Sequence, residues 1–439
     1  MARHLQKFLV SDLIDNINNT LLNQEFISQF KESTKDFVRN RILTFQTLVY
    51  FLTNMNNSSY QAELDNYFGC INNTTEIAKT YVHKGSLTKA RKKLKAEVFI
   101  AMNDRMTDYY YKHAPINTWK GFNLLAVDGT TIRVPDEKEV IEHFGVWKPV
   151  QGGECPKARA SQMYDVLNEI SIDTIIKPKS YGERELAAFH FLKLTPQDLV
   201  LLDRGYPSFW LFKMILTLNS NFCARVSKNW NVIKDFDLSG KNEDVVTLEA
   251  SQQAKKKCKE FDLDIEPLKL RVIKIELDSG ESEFLLTTLT DTSLYPMDLF
   301  SDLYHLRWPV ETDYNKLKNR LQVENFSGKT VKSVYQDFYA KVFSKNLTTI
   351  IINSVQDRVE EKSKQCKYPQ KVNFSQAIKK MKNRICLLFN RPLCQMKKII
   401  SALQDNFCVL TESVRNGRKF PRKHRVKQKK HFYEYKNFA

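Results

Sequence analysis

The sequence has no paired-cysteine signature. Its eight cysteines are scattered, none stands in a Cys-x-x-Cys pair, and no His-x-x-x-His or His-Glu-x-x-His stretch accompanies them. No zinc site is read from that spacing; isolated thiols are expected in the core of a protein from a reducing compartment. Long apolar runs are also missing. The longest candidate, Ile350 to Val355, falls far short of the roughly 18 residues that a membrane span needs. Met1 to Val10 holds no continuous apolar core, so no signal peptide is expected and the chain is read as cytoplasmic. Neither internal repeats nor low-complexity segments are evident.

What is present is positive charge, unevenly placed. The 439 residues carry a net charge of +18, yet residues 361–439 alone hold 21 Lys or Arg against 4 Asp or Glu. Between Arg415 and Lys430 stand nine basic residues and no acid. Such a tail suits a polyanion, because phosphates release counterions when lysines and arginines replace them. Nucleic acid is the first expectation, an anionic membrane surface the weaker one. The plainer alternative is a solvated tail that keeps the protein soluble. The hydrophobic fraction of 42% is that of a soluble globular protein, and the length allows two or three domains.

The texture changes along the chain. Residues 1–118 read as a helical domain. Within them Ser86 follows Gly85 and can cap a basic amphipathic helix, in which Leu87, Ala90, Arg91 and Leu94 share a face. Lys89, Lys92 and Lys93 project elsewhere, either as part of a DNA-recognition helix or as a solvated helical face. From about residue 119 strand signals take over: Phe122 to Val134 as a hairpin or bent strand turning at Asp128-Gly129, then Ser161 to Leu167 and Ile170 to Ile176. A helix is predicted over Glu183 to Leu192, a strand over Asp198 to Leu202, a helix over Phe209 to Leu218 and a strand over Phe222 to Val226. About 227–290 reads as a β-rich insertion with a hairpin at Leu270 to Leu277 and Glu283 to Leu289. A long helical region follows from Pro296 and carries Tyr304 to Leu321; residues 346–439 read as a helical region ending in the basic tail. Three strands, helix, strand, helix, strand, insertion, helix suits an α/β domain with a mixed sheet, as in ribonuclease H, spanning 119–345.

The acids suggest chemistry. Asp128 follows the apolar run Leu124 to Val127, and Asp203 follows Leu199 to Leu202. A carboxylate at the end of a buried strand needs solvent, a partner or a metal, and strand ends are where sites form in open α/β sheets. Alone, an Asp at a strand end is more often a turn former or helix cap. Tyr304, Arg307, Glu311 and Lys318 follow at offsets of 3, 4 and 7, which on a continuous helix share one face. Pro309 is expected to begin a helix, which would leave Tyr304 and Arg307 in the preceding turn. Glu311 can ligate a metal while Arg307 and Lys318 hold phosphates. A surface salt-bridge ladder is the alternative.

Together these residues resemble the IS4 family of bacterial insertion-sequence transposases. The resemblance rests on Asp128-Gly129-Thr130, Asp203-Arg204-Gly205-Tyr206 and the complete pattern Tyr-x2-Arg-x3-Glu-x6-Lys from Tyr304 to Lys318. Arg159 to Asn168, Gly182 to Ala187, Arg307-Trp308 and Gly417 to Lys423 also match. It implies a ribonuclease H-like catalytic domain with a β-rich insertion, for which the 107 residues between Asp203 and Glu311 leave room. It implies that Asp128, Asp203 and Glu311 are the catalytic acids and hold two Mg²⁺ ions, with Mn²⁺ able to substitute. Asp128 would bridge both ions, and Tyr304, Arg307 and Lys318 would grip phosphates. The implied activity is cut-and-paste transposition by cleavage and strand transfer. Its partners would be the terminal inverted repeats and target DNA, with a homodimer in the synaptic complex and the protein on the nucleoid when DNA-bound. By the same resemblance Trp230 is a candidate to stack on a flipped base, the alternative being a core or surface residue. Arg225 is a candidate DNA contact, the alternative a strand-edge surface charge. The rival readings are a ribonuclease H-like nuclease without strand transfer and an inactive DNA-binding repressor.

Overall fold

The computed structural model describes residues 8–39, 41–72, 81–147, 155–277 and 280–415, so most of the basic tail lies outside the described residues. The chain forms two compact units. One takes Met1–Pro115, Ile132–Lys157 and Asn315–Ala439; the other takes Ile116–Thr131 and Ala158–Tyr314.

The first unit opens with helices α1 (Val10–Leu22), α2 (Gln24–Phe30), α3 (Phe45–Thr53), α4 (Tyr60–Asn72), α5 (Lys84–Arg91) and α6 (Glu97–His113), and later takes in α7 (Lys138–Phe144). In α1 the residues Val10, Leu13, Ile14, Ile17 and Leu21 recur at helical spacing, and all are buried. Side-chain caps set two helix starts, Asn23 accepting from the Phe26 N–H and Thr44 from the Thr47 N–H. The start of α5 departs from the sequence expectation. His83 is the cap, its Nδ1 accepting from the Gly85 N–H at 3.0 Å, so Ser86 falls inside the first turn. Leu87, Ala90, Arg91 and Leu94 are all buried, as their spacing predicts. Arg91 tolerates burial because it donates to Asp337 at 2.9 Å, to Gln336 at 2.7 Å and to Ser327 at 2.8 Å. Lys89 and Lys92 are exposed, whereas Lys93 pairs with Asp36 at 3.2 Å.

The second unit holds most of the central sheet. The strands of that sheet in chain order are β1 (Asn123–Arg133), β2 (Val146–Trp147), β3 (Cys155–Asp165), β4 (Ile170–Lys177), β5 (Asp198–Leu202), β6 (Asn221–Val226), β7 (Glu243–Leu248), β8 (Leu268–Glu276) and β9 (Ser282–Thr287); β2, the end of β1 and the start of β3 are counted with the first unit. The spatial order is β2-β3-β1-β5-β6-β9-β8-β7, with β4 also on β3. β4 runs antiparallel to β3, and β5 runs parallel to both β1 and β6. An order of β4-β3-β1-β5-β6 is the ribonuclease H-like arrangement expected from the sequence. Successive side chains of β1 point to opposite faces. Leu125 and Val127 pack with α8 (Glu183–Phe191) and α9 (Phe209–Thr217) on one face.

The segment after β6 supplies α10 (Asn231–Leu238), β7, α11 (Gln252–Glu260) and the expected hairpin, β8 and β9. It continues the sheet, because β9 runs antiparallel along β6 from Cys223 opposite Thr287 to Val226 opposite Phe284. Arg271 is almost wholly buried there, donating to the Tyr295 carbonyl at 2.6 Å and pairing with Glu243. On the other face of β1, Leu124 and Ala126 pack with α12 (Leu299–His305) and α13 (Pro309–Asn315).

Two elements differ from what the sequence predicts. β1 is one strand of 11 residues that runs straight through Asp128 and Gly129. Asp128 therefore lies inside a strand, at the point where its parallel partner stops, since β5 ends with Leu202 opposite Val127. Gly129 makes no turn. A Cβ there would stand 3.4 Å from Glu183 Cγ and 3.5 Å from Tyr206 Oη, in ordinary contact with both, so Gly129 faces these two side chains. The helical region from Pro296 differs in part: α13 begins at Pro309 and Arg307 lies in the turn at 306–308, both as expected, but Tyr304 lies on α12 and not in that turn. Pro309 has no N–H to donate, and its ring disfavours helix at residue i−4, which is His305, where α12 ends.

After α13 the first unit resumes with a π-helical turn, Lys316–Arg320, and then α14 (Val331–Asn353), which is buried over most of its length and packs on α6 and α3. Among the described residues no helix is long and apolar enough to cross a membrane.

Candidate active site

The sheet register brings the first two acids together. Val127 is opposite Leu202, so Asp128 and Asp203 are the next residues of two parallel neighbours. Adjacent strands lie roughly 5 Å apart, which sets the two side by side. Glu311 stands in the first turn of α13, the helix whose Val310 packs against the same face of β1 as Leu124 and Ala126. The mutual influence of the three acids is felt at Asp128. Burial raises its carboxyl from the ordinary 3.8 to about 6; the Gly129 N–H and Arg307 oppose the shift, and Glu311 and Asp203 reinforce it.

Arg307 reaches this group from the turn before Pro309, its Nη2 donating to Glu311 Oε1 at 2.9 Å. Only 4% of Arg307 is exposed, yet its Nε and Nη1 have no partner among the described residues. The Tyr304 hydroxyl, on α12, is likewise buried and unpartnered. Burial pushes the Tyr304 phenol up, so it stays a hydrogen-bond donor at ordinary pH. An unpaired buried donor costs roughly 1–3 kcal/mol, which external acceptors such as phosphate oxygens would remove.

The remaining sequence candidates are placed differently. Lys318 belongs to the first unit, in the π turn where the Leu321 N–H reaches back to the Lys316 carbonyl at 3.0 Å. That wider turn breaks the seven-residue phase assumed between Glu311 and Lys318. Burial lowers the Lys318 ammonium below its ordinary value, Glu324 opposing and Lys157 reinforcing the shift. Arg225 is not at a sheet edge, because β6 lies between β5 and β9; it pairs with Glu283 at 2.7 Å. Trp230 is half-buried against the core, its ring 6.4 Å from Phe212. Lys89, Lys92 and Lys93 belong to the first unit.

Trp230 also borders a groove of about 1240 Å³, lined further by Arg159, Glu183, Gly205, Lys256 and Lys257. Arg159 and Glu183 pair at 2.9 Å across part of it. Because Gly129 approaches Glu183, the groove adjoins the strand that carries Asp128. Tyr206 closes the Asp203-Arg-Gly-Tyr motif, and its residue type alone gives no sign of a role. Its hydroxyl is buried beside Gly129 without a partner among the described residues.

Carboxylate oxygens are the hard donors that divalent cations such as Mg²⁺ take. In this side-chain arrangement, however, no three His, Cys, Asp or Glu among the described residues close into a ligating cluster. Asp128 Oδ1 accepts the Gly129 N–H, Asp203 Oδ1 the Arg204 N–H and Glu311 Oε1 the Arg307 guanidinium. The fit lies in the charge. Burial raises the Asp128 carboxyl to about 6, and Glu311 and Asp203 add to the rise, so a divalent cation at this negative group would favour the ionised form.

A family model described as transposase DDE domain matches residues 119–347. The transposase InsG of insertion sequence element IS4, from Escherichia coli (strain K12), is 22% identical over 356 residues, 78% of this chain and 77% of that protein. A putative transposase, InsZ, from the same strain is 26% identical over 124 residues, 28% of this chain and 39% of that one. A cryo-EM structure of the piggyBac transposase synaptic complex with hairpin DNA superposes over 92% of this chain and 87% of that chain, with a TM-score of 0.45 and 9% identity. That likeness is too loose to add to the sheet order already described. The DDE domain spans more than half of the chain, and with the IS4 relative beside it the chain belongs to the DDE transposases of the IS4 family, DNA-cleaving and strand-transferring enzymes.

Proposed function

We propose that this transposase cuts and rejoins DNA with Asp128, Asp203 and Glu311 as its catalytic acids. The observation that carries the reading is the β1–β5 register, which sets Asp128 beside Asp203, together with the raised Asp128 carboxyl, which registers both Asp203 and Glu311. The three acids would hold two Mg²⁺ ions, or Mn²⁺ in their place; when bound, such ions stabilise charge on the attacking and leaving oxygens of an in-line displacement. With its carboxyl near 6, Asp128 is largely ionised at neutral pH and able to bind a cation. Arg307 binds one oxygen of Glu311 and keeps two buried nitrogens, Nε and Nη1, as donors for phosphate oxygens, and the Tyr304 hydroxyl offers a further donor. The groove beside Gly129, with Lys256, Lys257 and Trp230 on its walls, is the proposed path for a DNA strand next to the acids.

Cut-and-paste transposition then consists of water attack at the element end, followed by attack of the freed 3′-hydroxyl on the opposite strand or on target DNA. A homodimer bridging two element ends is proposed as the working form. The Asp203→Asn variant tests the reading on linear DNA carrying the terminal inverted repeats. Cleavage is expected to fall at least a thousandfold while gel-shift affinity stays within a few-fold. Cutting at the normal rate would remove Asp203 from the site. Joined or hairpin products from the unaltered protein distinguish a transposase from a simple nuclease.

A further inference from the structure

A main-chain carbonyl in a sheet ordinarily accepts from the neighbouring strand. The carbonyl of Asp128 draws two side-chain hydroxyls from different elements. Tyr314 Oη, on α13, donates to it at 2.8 Å, and Ser161 Oγ, on β3, at 3.4 Å. Tyr314 stands three residues after Glu311, so both project from neighbouring positions of one helical turn. The next residue of β3 engages the same helix: Gln162 Nε2 donates to the Val310 carbonyl at 3.4 Å, and the Gln162 amide oxygen accepts from Ser171 Oγ at 3.1 Å. Ser161 is itself held, with His190 Nε2 at 3.0 Å and His190 Nδ1 at 2.7 Å from Asp173. All of these groups are within the second unit.

We propose that Tyr314 is a positioning residue, its hydroxyl fixing the helix of Glu311 to the strand of Asp128 and thereby setting the spacing of the first and third acids. Ser161 is the second brace on the same carbonyl. The inference rests on the assignment of Asp128 and Glu311 as catalytic acids. Tyr314 does no chemistry. Its ring is buried and its hydroxyl donates to a main-chain carbonyl. A purely hydrophobic side chain of the same shape would fill the space but leave α13 without its direct hydrogen bond to β1.

The test is Tyr314→Phe in the full chain, which keeps the ring and removes only the hydroxyl. DNA affinity is expected within twofold of normal and the urea unfolding midpoint nearly unchanged. The cleavage rate at saturating DNA should fall at least tenfold, and Mn²⁺ binding to the DNA-free protein, followed by electron paramagnetic resonance, should weaken at least fivefold. Ser161→Ala should show a smaller loss of the same kind, and the double variant less than the product of the two. Cleavage within twofold of normal overturns the proposal. So does a loss of cleavage matched by equal losses of DNA affinity and unfolding midpoint, which would make the hydroxyl a stability feature alone. Asp128→Asn is run in parallel. If that variant cuts normally, the acid assignment has failed; if it is inactive while Tyr314→Phe is normal, only the positioning role has failed.

Discussion

Asp128 should destabilise the protein that carries it. Its carboxyl is raised from 3.8 to about 6, chiefly by burial, so the folded chain holds that proton more tightly than the unfolded chain does. Between roughly pH 4 and 6 the folded state binds the extra proton, and stability contributed by the neutral acid is lost as pH rises through that window. Above it the penalty is constant. A shift of about 2 units at about 1.4 kcal/mol each gives roughly 3 kcal/mol at neutral pH. Asp128→Asn imitates the neutral acid, so it should unfold at higher urea than the normal protein at pH 7.5 in EDTA, by up to about 3 kcal/mol. The difference should shrink toward zero near pH 4. Adding Mg²⁺ should close the gap at pH 7.5 by stabilising the normal protein more than the variant. Urea titrations followed by tryptophan fluorescence at three pH values provide the measurement. A variant less stable than normal at pH 7.5, or a difference that does not change with pH, would refute the electrostatic account of the site.

Removal of residues 413–439 should weaken DNA binding at low salt and flatten the slope of log affinity against log salt, since each phosphate contact contributes about 0.9 to that slope. An unchanged slope in a fluorescence-anisotropy titration would show that the tail stays off the DNA. Arg91→Met leaves Asp337 buried without its cation and should cost roughly 3–5 kcal/mol in urea unfolding, with joint replacement of Asp337 by Asn recovering part of it.

Much of this arrangement was legible in the sequence because it is local. Apolar runs fixed β1 and β5, the period of Leu87, Ala90, Arg91 and Leu94 fixed the buried face of α5, and the Tyr304 to Lys318 pattern drew attention to Glu311. What was illegible depends on partners far away in the chain. Asp-Gly reads as a turn by itself, and only the end of β5 at Leu202 shows that Asp128 sits where a neighbouring strand runs out. His83 outcompetes Ser86 as a cap because its ring nitrogen reaches the Gly85 N–H, a geometry that residue type alone does not give. Arg225 reads as a DNA contact or a strand-edge charge from its sequence alone, and its ion pair with Glu283 depends on β9, far along the chain. Tyr314 had no signal at all, since a buried aromatic on a helix is ordinarily core; its hydroxyl matters only through a carbonyl 186 residues earlier.

The way β9 zips onto β6 has a bearing on how such chains vary. An insert joined by a main-chain ladder is tied to the sheet along its length, so the groove wall that carries Trp230, Lys256 and Lys257 is anchored by β9 on β6. The outer rim at β7 is the free edge of the sheet, with Val245 open to solvent. Extra residues grafted at that rim should be tolerated, whereas the same addition between β6 and α10 should displace Trp230 from the groove wall.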